Sequence, residues 1–182
     1  MAGVELVAVA WLAAACPAEP TPPPAEPRLV APFGGWRRVE DPAQDAFAAM
    51  RPVDATCDPT GVGIEQLGLS FEIKTGLCDY ATVAQPSASV LRVGDVLGIR
   101  GWHDELQAPM PSEGFVGVAI DGEILWHTTA AIPGPYGMFR GDLEIEEELP
   151  EGTELQVHIH NHGVNSWNLL DWKTVVDDGD AP

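Results

Sequence analysis

The chain has 182 residues, with 28 acidic against 9 basic side chains and a formal net charge of −19. A surface of that sign repels nucleic acid, and no Lys or Arg run offsets it, so nucleic acid is excluded as a partner. The same charge makes an anionic membrane surface unattractive, so any attachment there must come from a lipid and not from electrostatics.

The first element is the apolar run "VELVAVAWLAAAC", which ends in small residues and Cys16. It has the length of a signal-peptide core and is too short to span a bilayer as a mature helix. Its end, Leu12, Ala13, Ala14, Ala15 and Cys16, resembles the lipobox of bacterial lipoproteins. In that family a Leu and small residues precede the cysteine that is lipidated and becomes the new N-terminus. Ala13 stands where the family usually has its leucine, and the start carries Glu5 with no Lys or Arg. The resemblance implies a signal peptide over residues 1–15, a lipid on Cys16, and an exported protein anchored to the bacterial cell envelope through that lipid only. The alternative is a plain cleaved secretory signal with Ala-x-Ala before Cys16.

Residues 16–32 continue as a Pro-rich stretch that favours extended polyproline geometry and predicts a semi-rigid linker. Residues 33–56 read as a transition. In it "GGWRRVEDP" suits an edge strand, and "DPAQDAFAAM" suits one helical turn after Asp41 with Pro42 at its first position.

From Cys57 to Val176 the chain reads as one domain, long enough to bury about two-thirds of its unfolded surface. Strand-like segments recur at short intervals: "GLSFEIKT", "LCDYATVAQP", "DVLGIRGWH", "FVGVAI", "EILWHTTAAI", "DLEIEEEL", "TELQVHIHN" and "NSWNLLDWKTVV". No long segment has helical apolar spacing, and Pro and Gly punctuate throughout. The expectation is an all-β fold, a single antiparallel β-sandwich or jelly roll, followed by an acidic tail over residues 177–182.

One hairpin has a readable register. Asp121-Gly122 suits a two-residue type I′ turn, which pairs Ile120 with Glu123, Val118 with Leu125 and Val116 with His127. Trp126 then lies over Gly117. Both faces of this hairpin are substantially apolar, which predicts a central position. Cys57 and Cys78, exported and lacking CxxC spacing, are most simply a disulfide closing about twenty residues, worth roughly 3 kcal/mol.

The segment "QVHIHNHGVNSW" carries His158, His160 and His162 at every second position. Leu155, Val157 and Ile159 alternate inward, so His158 and His160 share the other face, while His162 falls in a turn. Two parallel imidazoles are a chelating pair for zinc or copper if a third ligand joins them, with His103 and His127 as candidates. Gly152 with the following "HIH" resembles the first half of the cupin metal motif, but Val164 and Asn165 occupy the positions of its glutamate. "HIHNHG" resembles the copper-binding strand of copper–zinc superoxide dismutase, without the later ligands of that family apart from Asp171. The bland alternative is a pair of strand histidines hydrogen-bonded locally.

Trp102, Trp126, Trp167 and Trp172 all lie on predicted strands, and Tyr136 and Phe139 lie in a predicted loop, "IPGPYGMFRGD". A β-sandwich that exposes Trp beside Asn and His is similar to carbohydrate-binding modules, in which flat rings stack on sugar faces. That resemblance implies a glycan or protein of the envelope as partner, with Trp102, His103, His158, His160, Asn165 and Trp167 as the ligand-binding set. No GxSxG elbow, P-loop or dinucleotide fingerprint is present, and His103, Asp104 and Glu105 are strand neighbours whose side chains alternate in direction. The sequence therefore predicts a non-catalytic binding protein that needs no cofactor, with a zinc- or copper-binding envelope protein as the alternative.

Overall fold

The computed structural model describes residues 26–175. Cys16, the signal peptide and the acidic tail lie outside the described residues. Alternating apolar positions become twelve strands: β1 (Leu29–Ala31), β2 (Arg37–Arg38), β3 (Val62–Ile64), β4 (Phe71–Lys74), β5 (Ala81–Pro86), β6 (Val96–His103), β7 (Ser112–Ile120), β8 (Glu123–Ile132), β9 (Gly137–Glu144), β10 (Glu154–His160), β11 (Ser166–Leu169) and β12 (Trp172–Val175). Short 3-10 turns join some of them, and no α-helix occurs among the described residues.

The strands form two antiparallel sheets, as the strand pattern predicts. One has the order β2-β5-β10-β7-β8. In the other, β6 pairs along its whole length with β9. On its opposite edge β6 pairs first with β12 and then with β11. These two are halves of one run interrupted at Leu170 and Asp171. β1 extends the sheet beyond β12, and β4 with β3 extends it beyond β11.

The inward residues of both sheets meet in one core. Ile73, Leu97, Ile99, Trp167, Leu169 and Trp172 come from one side, and Val83, Val116, Val118, Leu155, Val157 and Ile159 from the other, all fully or almost fully buried. Each such aliphatic side chain contributes about 1.5–3 kcal/mol by leaving water. Leu155, Val157 and Ile159 face this core as expected, while Gln156 and His158 between them are buried on the other side of the strand.

The folded unit begins well before residue 57. Leu29–Ala31 pairs with β12, and Val30, Ala31 and Trp36 are fully buried, with Trp36 edge-on to Trp172 at 5.2 Å. The linker and transition boundaries drawn from proline content therefore cut through the sandwich. Proline density does not register that "RLVA" is apolar enough to finish a sheet edge. "WRR" does add an edge strand, β2 on β5. Asp41 caps the turn Pro42–Gln44 by accepting from the Ala43 N–H at 2.9 Å. Cys57 and Cys78 are joined in a disulfide.

The β7–β8 hairpin turns as expected, with Asp121 and Gly122 at φ 50° and 81°. Its register holds for Ile120 and Glu123 and then slips by one at a bulge, so Val118 faces Trp126 and Gly117 faces His127. The extra residue re-aims every side chain beyond it. Trp126 consequently points inward over Gly141 of β9, where a Cβ would come within 2.5 Å of the indole. Gly117 lies instead beneath Phe47. The hairpin is half central: β7 is paired on both edges and β8 on one. The predicted loop around Tyr136 ends early, because its second half is β9, with Phe139 in the core.

Candidate functional site

The two outer faces of the sandwich differ. Residues 41–55 roof the five-stranded sheet. The Ala46 N–H donates to Gln156 Oε1 at 2.9 Å, and Gln156 Nε2 donates to the Gln44 carbonyl at 2.6 Å. Phe47 stacks on His158 with centroids 5.0 Å apart, and Tyr80 lies 4.3 Å from the same ring. This roof leaves His158 fully buried and Gln156 almost so.

The hydrogen bonds are met by one arrangement of the two histidines. His158 Nδ1 lies 3.0 Å from Thr82 Oγ1 and 3.1 Å from the Ala81 carbonyl; the carbonyl only accepts and the hydroxyl can accept, so the tautomer with the proton on Nδ1 satisfies both contacts. Nε2 is then a bare acceptor, and His160 Nδ1, 2.8 Å away, donates to it. Burial pushes the His158 pKa down to about 3, and the neighbouring His160 adds to the shift. His160 is lowered too, first by burial and then by His162. The strand nitrogens that a chelate would use are thus occupied with each other. His162 is exposed on the following turn, and among the described residues no group of three His, Cys, Asp or Glu side chains is arranged to hold a metal. The zinc or copper reading of His158, His160 and His162 does not match this geometry. His160 and His162 instead edge an open groove of about 650 Å³ with Met50, Asp54, Asp79 and Val164.

Three other residues picked from the sequence are also inside. Trp167 is 1% exposed, and its Nε1 donates to Asn161 Oδ1 at 2.6 Å. The His103 ring packs 4.8 Å from it, with Nδ1 at 2.8 Å from the Asp104 carbonyl. Asn165 clamps Gln107, accepting from its N–H at 2.6 Å and donating to its carbonyl at 3.1 Å. These polar side chains sit at the end of the core because each has a backbone or side-chain partner there.

Trp102 differs. Leu97, Ile99, Gly101 and His103 of β6 face the core, so Arg100 and Trp102 face out from the larger sheet. The register places Met138, Trp102, Asn168, Glu72 and Gly63 side by side across five strands. Tyr136 joins this row, its ring 5.8 Å from Trp102 and tilted by 37°. Tyr136 is 60% and Met138 46% exposed. At about 4.8 Å per strand, Met138 and Glu72 stand about 14 Å apart, the span of a short oligomer.

Polar groups flank the aromatic pair. Glu72 accepts from Ser166 Oγ at 2.8 Å and pairs with Lys74 at 3.1 Å. Ser70 Oγ donates to Asn168 Oδ1 at 2.8 Å, while Asn168 Nδ2 has no acceptor among the described residues. Asn168 is 1% exposed, so this donor lies beneath the surface of the row and not on it. Arg100 donates to Asp142 Oδ1 at 2.7 Å and to the Gly141 carbonyl at 2.8 Å. Trp102 alone of the six residues chosen for ligand binding belongs to this face. Its companions are legible only as the alternate residues of "IRGWH" and "YGMFRGD", once both are known to be neighbouring strands.

No protein-family model and no curated protein matches the sequence. Solved structures similar to it include TmCBM27, a mannan-recognising carbohydrate-binding module, at 9% identity and a TM-score of 0.49, over 82% of this chain and 98% of that one. A second is the CBM22-1 xylan-binding domain from Paenibacillus barcinonensis Xyn10C, at 12% identity and a TM-score of 0.46, over 86% and 99%. A third is an arabinose-bound α-L-arabinofuranosidase, MgGH51, at 10% identity and a TM-score of 0.45. The match covers 82% of this chain but only 25% of that enzyme. At this level the likeness carries no ligand across.

Proposed function

We propose that this chain is a non-catalytic glycan-binding module of the bacterial cell envelope, held there by a lipid on Cys16. The observation that carries the reading is the Trp102–Tyr136 pair, lying side by side on the unroofed outer sheet face. An aromatic ring offers a flat apolar surface with no hydrogen-bond demand of its own, which suits the C–H face of a pyranose. The hydroxyl edges of the sugar then meet Glu72 and Lys74 of β4 on the same face. Trp102 is half-buried in β6, so little of its side-chain freedom is lost on binding.

The test is titration of the intact protein with a panel of envelope polysaccharides, read by tryptophan fluorescence and by affinity electrophoresis. Trp102→Ala and Tyr136→Ala should each weaken binding at least tenfold, about 1.4 kcal/mol, with the fold intact by circular dichroism. Binding that survives both substitutions places the ligand elsewhere. Anchoring is tested separately. Cys16→Ser should release the protein from the membrane fraction, and unchanged fractionation with no lipid mass on the mature N-terminus refutes it.

A further inference from the structure

We infer that the glycan bound on this face carries carboxylates, and that Arg140 reads them. This inference rests on the reading of Trp102 and Tyr136 as a sugar platform. Its starting point is an anomaly of charge. The chain is strongly acidic, yet Lys74, Arg100, Arg140 and Lys173 all lie on the outer face of the larger sheet, four of its 9 basic residues. Arg100 and Arg140 stand directly opposite each other on β6 and β9. Like charges in that position destabilise a sheet, so the fold gains nothing by placing them there.

The two arginines are not equivalent. Arg100 leans away from the aromatic pair: its guanidinium lies over Gly98, where a Cβ would come within 3.2 Å of Cζ, and it bonds Asp142. The charge of Arg100 is therefore met by the protein. Arg140 leans the other way. Its Nη2 lies 3.6 Å from Met138 Sδ, and Met138 is the residue opposite Trp102. Among the described residues no carboxylate pairs with Arg140. Of the acids on this face, Glu72 is engaged with Lys74 and Ser166 and Asp142 with Arg100, while Glu144 stands two rungs beyond Arg140's position on β9.

A cation thus stands exposed beside the aromatic platform, with Met138 Sδ its side-chain partner among the described residues. A guanidinium presents two parallel N–H groups that match a carboxylate, and a neutral sugar offers no equivalent partner. A pyranose stacked on Trp102 carries its exocyclic carbon at the ring edge. In a uronic acid that carbon is the carboxylate. The remaining surface is acidic and opposes a densely charged polyanion, but that repulsion is largely screened beyond about 8 Å at physiological salt. The ligand chemistry that fits is a uronic-acid glycan gripped locally.

The experiment compares polyuronates (galacturonan, alginate and glucuronoxylan) with their methyl-esterified or carboxyl-reduced forms, using the whole chain and calorimetry. The expected result is binding to at least one acidic form and a loss of about tenfold or more when its carboxylates are masked. Arg140→Gln should erase that difference, and Arg140→Lys, which keeps the charge but not the fork, should restore part of it. Equal affinity for the acidic and masked forms, or an unchanged preference in Arg140→Gln, overturns the inference and leaves the glycan reading standing. No binding to any member of either series, with neutral glycans also unbound, removes both.

Discussion

The buried histidine provides a prediction whose size follows from the structure. His158 is fully buried and neutral, with its pKa pushed down to about 3. In the unfolded chain it returns to about 6.5. As pH falls below 6.5 the unfolded state takes up a proton that the folded state refuses. Stability present above 6.5 is therefore lost progressively down to about pH 3. At pH 4.5, two units below 6.5, the loss from this one ring is about 3 kcal/mol. The 28 acidic residues also titrate in this range, so the wild-type profile alone does not isolate the effect. The comparison with His158→Gln does. The variant should be the less stable protein at pH 8, having lost the stacking on Phe47 and Tyr80, and the gap should close by about 3 kcal/mol by pH 4.5. With a urea slope of about 2 kcal/mol/M, that is a relative midpoint shift on the order of 1–2 M. Parallel profiles for the two proteins, or a His158 ring that titrates near 6.5 by NMR, would refute the buried neutral imidazole.

Replacing Cys57 and Cys78 together by Ala should lower stability by about 3 kcal/mol in urea unfolding, and reductant should have the same effect on the wild type alone. An unaltered midpoint shows that the crosslink constrains nothing. Gly141→Ala puts a methyl against the Trp126 indole and should cost about 1–3 kcal/mol in thermal unfolding; a neutral outcome contradicts the inward position of Trp126. Zinc or copper at several times the protein concentration should leave the melting temperature unchanged, because His158 and His160 spend their facing nitrogens on each other. A stoichiometric rise that His160→Ala abolishes would restore the metal reading.

The fold was legible where a local rule decides it. Asp121-Gly122 dictates its turn through the two positive φ values, and the alternation in β10 dictates which residues meet the core. It was not legible where one inserted residue matters. The bulge beside Val118 has no signature in "VAIDGEILW", because Leu125 and Trp126 are both apolar and either serves as the inward residue. What decides between them is the space over Gly141, which belongs to a different strand. The domain start was misread for a related reason. Composition registers prolines, but Val30 and Trp36 are individual residues whose burial depends on β12 lying alongside, more than a hundred residues away.

The same logic separates the two faces that His-x-His and Trp102 occupy. Alternation says that His158 points away from the core, and it does. It does not say what covers that side. The roof comes from residues 41–55, whose side chains Asp45 and Phe47 reach across to Tyr80 and His158. A residue directed outward is therefore available to a ligand only if no other segment claims its face first. Polar residues under such a roof must be fully hydrogen-bonded, and Gln156, His158 and Tyr80 are, through Gln44, Ala81 and Asp45. Among the described residues no segment covers the outer face of the larger sheet, and there the exposed Arg140, without a carboxylate partner, stands on the same face as the Trp102–Tyr136 pair. An aromatic pair on an uncovered sheet face makes the face of Trp102, rather than the conspicuous histidine strand, the one to test for binding.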